Sequence, residues 1–230
     1  MQTQLNLDIQ LRVASRLNNF ITGSPQAQEL KTRLEQLIEL PREQPIFIYG
    51  APGSGKSHLL QGTCHLARQQ GIVAGYLPLS ELTRTTPDLL ASLSQLELLC
   101  VDDVHSVGGH GEWENALFNL YNESQQQQRL LIFAGQYRPA DCGIELADLS
   151  SRLSWGLIYA LPALDDQQKK LLVKQRGDDL GLAIDEATCD YIMLRCDRET
   201  GKLMQFLDRI DQHSLAKQRR ITVPLVRELL

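Results

Sequence analysis

The sequence predicts an α/β protein, with a five-stranded parallel sheet followed by a small all-helical subdomain. Three observations carry that prediction. Five short runs are apolar at every position and alternate with segments of helical spacing, the pattern of strands covered on both faces. A glycine-rich loop stands between the first of these runs and a helical segment. The strand texture stops after Pro162, and only helical periodicity follows.

The elements follow in order. Gln26 to Leu40 has helical spacing and is ended by the Pro41 to Pro45 stretch. The predicted strands are Ile46 to Tyr49, Val73 to Leu77, Leu98 to Asp102, Leu130 to Ala134 and Leu157 to Leu161, with a helix over Lys56 to Gln70 after the first. Gln125 to Gln128 is the one biased tract and reads as a solvated helix end. Beyond Asp165, helices are predicted over Lys170 to Leu180, Ala187 to Leu194, Leu203 to Leu215 and Val223 to Leu230. Pro224 falls in the first turn of the last, where a missing N–H costs nothing.

Composition bounds the function. The chain has 230 residues, 43% of them apolar and 22% charged, enough to bury a core and more than one compact domain needs. Lys and Arg number 23 against 28 Asp and Glu, a net charge of −5, the wrong sign for holding nucleic acid by phosphate neutralisation alone. The five cysteines are scattered without a C-x-x-C pair, which predicts reduced thiols and no zinc site. The start is polar and no apolar run approaches the roughly 20 residues of a membrane span, so the expected location is cytoplasmic, with no membrane partner.

Gly50-Ala51-Pro52-Gly53-Ser54-Gly55-Lys56-Ser57 satisfies G-x-x-x-x-G-K-[ST] directly after a strand. Its glycines let successive N–H groups face phosphates, Lys56 reaches the outer phosphates, and Ser57 supplies a ligand for Mg²⁺. His58, next along, is counted with this cofactor-binding set. A nucleotide site of this type needs a second carboxylate on a neighbouring strand, and Asp102 emerges where the third strand ends, followed by Asp103. The metal set is therefore Ser57 and Asp102. His105 and His110 read as solvated residues of a glycine-rich loop, and the histidines show no ligand spacing.

With these residues in place, nearly the whole chain resembles the AAA+ ATPases related to the replication initiator DnaA, and within them the regulatory inactivators of that initiator. The segment Trp113 to Asn122 resembles the helix after the strand carboxylates; Trp113, Leu117, Leu120 and Tyr121 fall on one face of it and read as core. Leu149 to Gly156 resembles the arginine-finger segment, which makes Arg152 the catalytic residue, acting on a partner's nucleotide. Asp197-Arg198-Glu199 resembles the start of sensor 2, so Arg198 would face the chain's own nucleotide. Arg138 is a rival cation. Phe20 and Ile21 resemble the segment lining the base pocket, and Gln136 stands at sensor 1.

The resemblance implies an adenine nucleotide, ADP or ATP, although the loop itself does not read the base. Asp103 stands where brisk ATPases carry Glu. With Gln136 at sensor 1, this predicts slow or absent hydrolysis of the chain's own nucleotide. Gln4-Leu5-Asn6-Leu7-Asp8-Ile9 resembles the clamp-binding peptide Q-L-x-L-x-[LI], with Gln4 for polar contacts and Leu5, Leu7 and Ile9 for an apolar groove. The expected organisation is a clamp-binding tail (1–12), a nucleotide-binding core (13–164) and a helical lid (165–230). The sequence runs one short helix beyond Arg219-Arg220, so the initiators' helix-turn-helix DNA reader is not expected in it.

The implied function is regulation of replication initiation: bound to the DNA-loaded sliding clamp (the beta subunit of DNA polymerase III), the protein would stimulate hydrolysis of DnaA-bound ATP. DnaA and the clamp are then its partners, and DNA is reached through the clamp. Self-association as a homodimer or higher homo-oligomer fits the finger-bearing edge. An autonomous helicase-loader-like ATPase and a non-catalytic clamp adaptor are the rival readings.

Overall fold

A computed structural model describes residues 11–12, 14–36, 44–83, 85–93, 95–217 and 221–229. Two compact units divide the chain: one runs to Ala51 and over Gly55–Pro162, the other holds Pro52–Ser54 and Ala163–Leu230.

In the first unit the elements are α1 (Pro25–Gln36), β1 (Ile46–Tyr49), α2 (Lys56–Gln69), β2 (Ala74–Pro78), α3 (Leu79–Leu82), β3 (Leu98–Asp102), α4 (Gly111–Gln126), β4 (Leu130–Gly135), α5 (Ala147–Ser154) and β5 (Leu157–Ala160). The five strands are parallel, in the order β2-β3-β4-β1-β5. All five fall within a residue of their predicted ends, because a strand buried on both faces is apolar at every position. The order corrects one expectation. Asp102 does not lie on the strand beside β1; β4 separates them, and Gln136 leaves the sheet between the loop after β1 and the carboxylate after β3.

Side chains alternate across the sheet. Ile46, Ile48, Leu98, Cys100, Ile132 and Ala134 pack with Leu30 and Leu34 of α1 and Leu59, Leu60 and Cys64 of α2. Phe47, Leu99, Val101, Leu131 and Phe133 pack with Trp113, Leu117, Leu120 and Tyr121 of α4 and with Leu149 and Leu153 of α5. The four α4 residues read as core in the sequence are buried. Asp102 belongs to the α2 side of the sheet, the side on which that helix begins.

The second unit comprises α6 (Asp166–Asp179), α7 (Glu186–Arg195), α8 (Thr200–Lys217) and α9 (Val223–Leu229) around Val173, Ile192, Leu203, Leu207, Ile210 and Leu225. Its first helix starts four residues before its predicted start because Asp165 and Gln168 form a reciprocal cap. The Gln168 N–H donates to Asp165 Oδ1 at 2.8 Å and the Asp165 N–H to Gln168 Oε1 at 2.9 Å. No described helix is long and apolar enough to cross a membrane. The tail residues Gln4, Leu5, Leu7 and Ile9, the end of the predicted helix to Leu40, and Arg219-Arg220 lie outside the described residues.

Candidate nucleotide site and finger helix

The loop after β1 takes the form its glycines require. Gly53 and Gly55 have φ of 76° and 97°, the left-handed region that a side chain opposes. A Cβ at Gly55 would stand 2.8 Å from Phe20 Cε2, so Phe20 lies directly on the cradle. The Lys56 ammonium turns back into the loop and donates to the carbonyls of Gly50 at 2.7 Å and Ala51 at 3.0 Å. Burial lowers its pKa, and the charges of Asp102 and Asp103 oppose that shift. Ser54 Oγ is buried with no partner among the described residues. A curled loop with an inward ammonium and a spare buried hydroxyl fits a bound phosphate chain.

Asp102 is fully buried. Its carboxylate accepts from Tyr76 Oη at 2.7 Å and from the Asp103 N–H at 2.9 Å, and the Ser57 hydroxyl is near enough to lower its pKa. The two predicted metal ligands are thus brought together across two strands. Burial pushes the Asp102 pKa up, the Asp103 charge adds to this, and the hydrogen bonds restrain it. Burial also raises the Tyr76 pKa, helped by the adjacent Asp102, so Tyr76 remains a phenol that donates to the carboxylate. Asp103 has a φ of 55° and accepts from Ser80 Oγ at 2.6 Å.

A carboxyl group whose folded pKa is raised supports the fold when protonated and loses that support as pH rises through the folded pKa. Ionised Asp102 therefore weakens the nucleotide-free protein. The melting temperature of Asp102→Asn, relative to the parent, is expected to climb as pH goes from about 3 to 7. Mg²⁺-dependent nucleotide affinity is expected to fall by about 10- to 100-fold. Calorimetric scans across pH, paired with nucleotide titrations with and without Mg²⁺, check both parts.

Gln136 leaves β4 with its N–H donating to His105 Nδ1 at 3.3 Å, and the His105 ring meets Tyr137 edge-on at 6.0 Å. His105 is therefore half-buried and bridges two loops, not a solvated residue as expected. His110, which is exposed, matches its expectation. His58 is half-buried. Its Nε2 lies 2.9 Å from the Arg16 carbonyl and its ring 5.8 Å from that of Phe20, so it braces the segment before the cradle. Ile21 is half-buried beside Phe20 in sequence.

The three arginines differ in how they are held. Arg138 donates to Tyr49 Oη at 3.2 Å and lies over that ring. Arg198 pairs with Asp166 at 2.7 Å within the helical unit, both side chains exposed. Arg152 is exposed on α5, forms no ion pair among the described residues, and stands 5.9 Å over the ring of Tyr121. It lines a groove of about 610 Å³ with Asn122, Gln125, Ser151 and the half-exposed Trp155.

Two functional contacts escaped the sequence. Tyr76 looked like one more apolar strand residue; the signal for it is the two-residue offset that puts it on the same sheet face as Asp102, which needs the register Tyr76↔Cys100. Glu114 is 1% exposed inside a helix quoted for its apolar face. Its carboxylate accepts from the N–H groups of Gly109 (2.8 Å), Glu145 (3.1 Å) and Leu146 (2.7 Å).

A loop shaped to cradle phosphates, a buried carboxylate near the loop's serine, and a five-stranded parallel sheet in this order make a P-loop fold of the AAA+ type. Comparison with known proteins agrees. The fold is similar to domain III of the replication initiation protein DnaA from Thermotoga maritima, with a TM-score of 0.82, 19% identity, and coverage of 96% of this chain and 97% of that one. It is also similar to AMPPCP-bound DnaA from Aquifex aeolicus (TM-score 0.70, 21% identity, 90% of this chain and 70% of that one). The RuvB Holliday junction branch migration motor of Thermotoga maritima is a further match (0.62, 18%, 91% and 71%). Residues 165–230 match the family described as the Hda lid domain. The chain thus has the fold of DnaA domain III, and its residues 165–230 match the Hda lid family.

Proposed function

We propose that this protein regulates replication initiation by presenting Arg152 to ATP held by DnaA and stimulating its hydrolysis, while its own cradle holds an adenine nucleotide. The observation that carries the reading is the state of Arg152: a guanidinium on the exposed edge of α5, with no carboxylate partner among the described residues, beside a polar groove. An arginine placed so can neutralise charge developing on a neighbour's outer phosphate. The Hda lid and the DnaA-like fold support DnaA as the neighbour.

Adenine nucleotide fits the cradle by the Lys56, Ser54 and Gly55 arrangement, with Phe20 and Ile21 toward the base and Gln136 near the outer phosphates. Mg²⁺ would be held by Ser57 and, through water, by Asp102; when bound it neutralises phosphate charge. The protein's own turnover is slow in this reading, because Asp103 is a shorter carboxylate than the Glu of brisk ATPases and already accepts from Ser80. Arg198 would couple the lid to the bound nucleotide once released from Asp166. The tail, Gln4 to Ile9, tethers the protein to the sliding clamp on DNA and so concentrates it near the initiator. The protein acts in the cytoplasm.

The test is the rate at which DnaA-bound ATP becomes ADP on adding this protein to DNA-loaded clamp. Deleting residues 4–9 is expected to abolish clamp binding and to lower the stimulated rate by about 10²-fold at limiting protein, with nucleotide affinity unchanged. A stimulated rate that ignores both the clamp and the tail would remove the tether from the proposal. Clamp binding with no stimulation would leave an adaptor that uses nucleotide only to hold its fold.

A further inference from the structure

We propose that Glu114 is a positioning residue for Arg152: its buried carboxylate fixes where α5 begins on α4 and thereby sets the reach of the arginine. This rests on the reading of Arg152 given above.

The geometry is specific. Glu114 lies in the first turn of α4 and is almost completely buried. Oε2 accepts from the Leu146 N–H at 2.7 Å and Oε1 from the Gly109 N–H at 2.8 Å, while the Glu145 N–H points between the two oxygens at 3.1 Å from each. Leu146 is the residue from which α5 starts. One carboxylate therefore ties the loop before α4 to the entrance of α5. No side-chain amide could do the same, because whichever position became NH₂ would face another N–H.

Two further contacts show that α5 is held in register rather than merely covered. Gly108 passes so close to the segment before α5 that a Cβ there would meet the Cys142 carbonyl oxygen at 2.5 Å. Two turns along α4 from Glu114, Tyr121 carries the Arg152 guanidinium over its ring. Helix α4 thus grips α5 at its start through Glu114 and meets it again at Arg152. Between these points Leu149 packs inward, with Leu153 just beyond Arg152, and such apolar contacts fix a helix's position less strictly than directional bonds do. A carboxylate with directional bonds to three N–H groups does not.

A shift of about 1 Å in a reacting group costs roughly 10²-fold in rate. Glu114→Gln should therefore lower the maximal stimulated hydrolysis of DnaA-bound ATP by about 10- to 100-fold, with little change in the concentration giving half-stimulation. Adding Arg152→Ala to Glu114→Gln should cost nothing beyond Arg152→Ala alone, since both act through one group. The second readout does not depend on stimulation: in ¹⁵N NMR spectra, the Arg152 Nε–Hε signal, displaced by the Tyr121 ring, should move in Glu114→Gln together with the α5 amides.

Each result decides. Signals of Arg152 and α5 unchanged in Glu114→Gln would overturn the positioning role, whatever the rates. So would a loss in rate that adds fully to that of Arg152→Ala. If the parent protein itself shows no Arg152-dependent stimulation, the proposed function fails, while displaced NMR signals would still establish that Glu114 places the arginine.

Discussion

Arg152→Ala is expected to lower the stimulated hydrolysis of DnaA-bound ATP by about 10³-fold or more, with clamp binding, nucleotide binding and fold intact. The size follows from the role: charge on a transferring phosphoryl group is met by a guanidinium in a site closed to water, where each contact counts for more than in solution. The small structural cost follows from the geometry. Arg152 is exposed, and its described contact is the ring of Tyr121 at 5.9 Å, a cation–π interaction of about 0.5–1 kcal/mol. Such a hold orients the side chain yet releases it easily to a stronger anionic partner. Arg138→Ala serves as the contrast. That arginine is already committed to Tyr49 through its Nε and its face, so its loss should leave stimulation within about threefold. Arg152→Lys should recover only part of the rate, because an ammonium cannot present a planar fork to phosphate oxygens. Single-turnover measurements with radiolabelled ATP on DnaA separate these outcomes. Full stimulation by Arg152→Ala would mean that the finger is another residue.

The contrast among the three arginines also shows what the sequence could convey. The resemblance pointed to Arg152 and Arg198, with Arg138 as a rival, but could not tell a paired arginine from an unpaired one. Their partners, Tyr49, Asp166 and Tyr121, lie 89, 32 and 31 residues away in the chain. The strands were legible because burial on both faces writes an unbroken apolar run, and the phosphate loop because its backbone demands glycine at fixed places. Strand order was not, since periodicity records which face is buried and not which strand lies alongside; hence the misplaced adjacency of Asp102 and β1. Tyr76 and Glu114 escaped for a related reason. Each is a polar group whose meaning is its partner, and register or a loop brought that partner near. His105 was misread through its neighbours in sequence, among glycines, when its ring accepts from the Gln136 N–H.

Lys56→Met is the second change with a large expected effect: adenine nucleotide affinity should fall by about 10²-fold or more while the nucleotide-free protein keeps its melting temperature within a few degrees. Two opposing terms decide the latter. Burial disfavours the ammonium, and that penalty outweighs the attraction of Asp102 and Asp103, as the lowered pKa of Lys56 records. Methionine fills much of the space of the lysine stem without carrying a charge out of water, which relieves that penalty. Against this, the carbonyls of Gly50 and Ala51 lose their donor, at about 1 kcal/mol each, and the two carboxylates lose a counter-charge. These contributions nearly offset one another without ligand. With nucleotide present they do not, because a buried ammonium facing phosphate contributes about 3 kcal/mol when its partner is kept and it is removed. Titration with a fluorescent adenine nucleotide, beside melting curves with and without it, reads both quantities. The parent should gain several degrees on saturation and Lys56→Met almost none. Equal affinities for parent and variant would show that the nucleotide is held elsewhere than in the cradle formed by Gly50 to Ser57, and the assignment of that loop would fall with them.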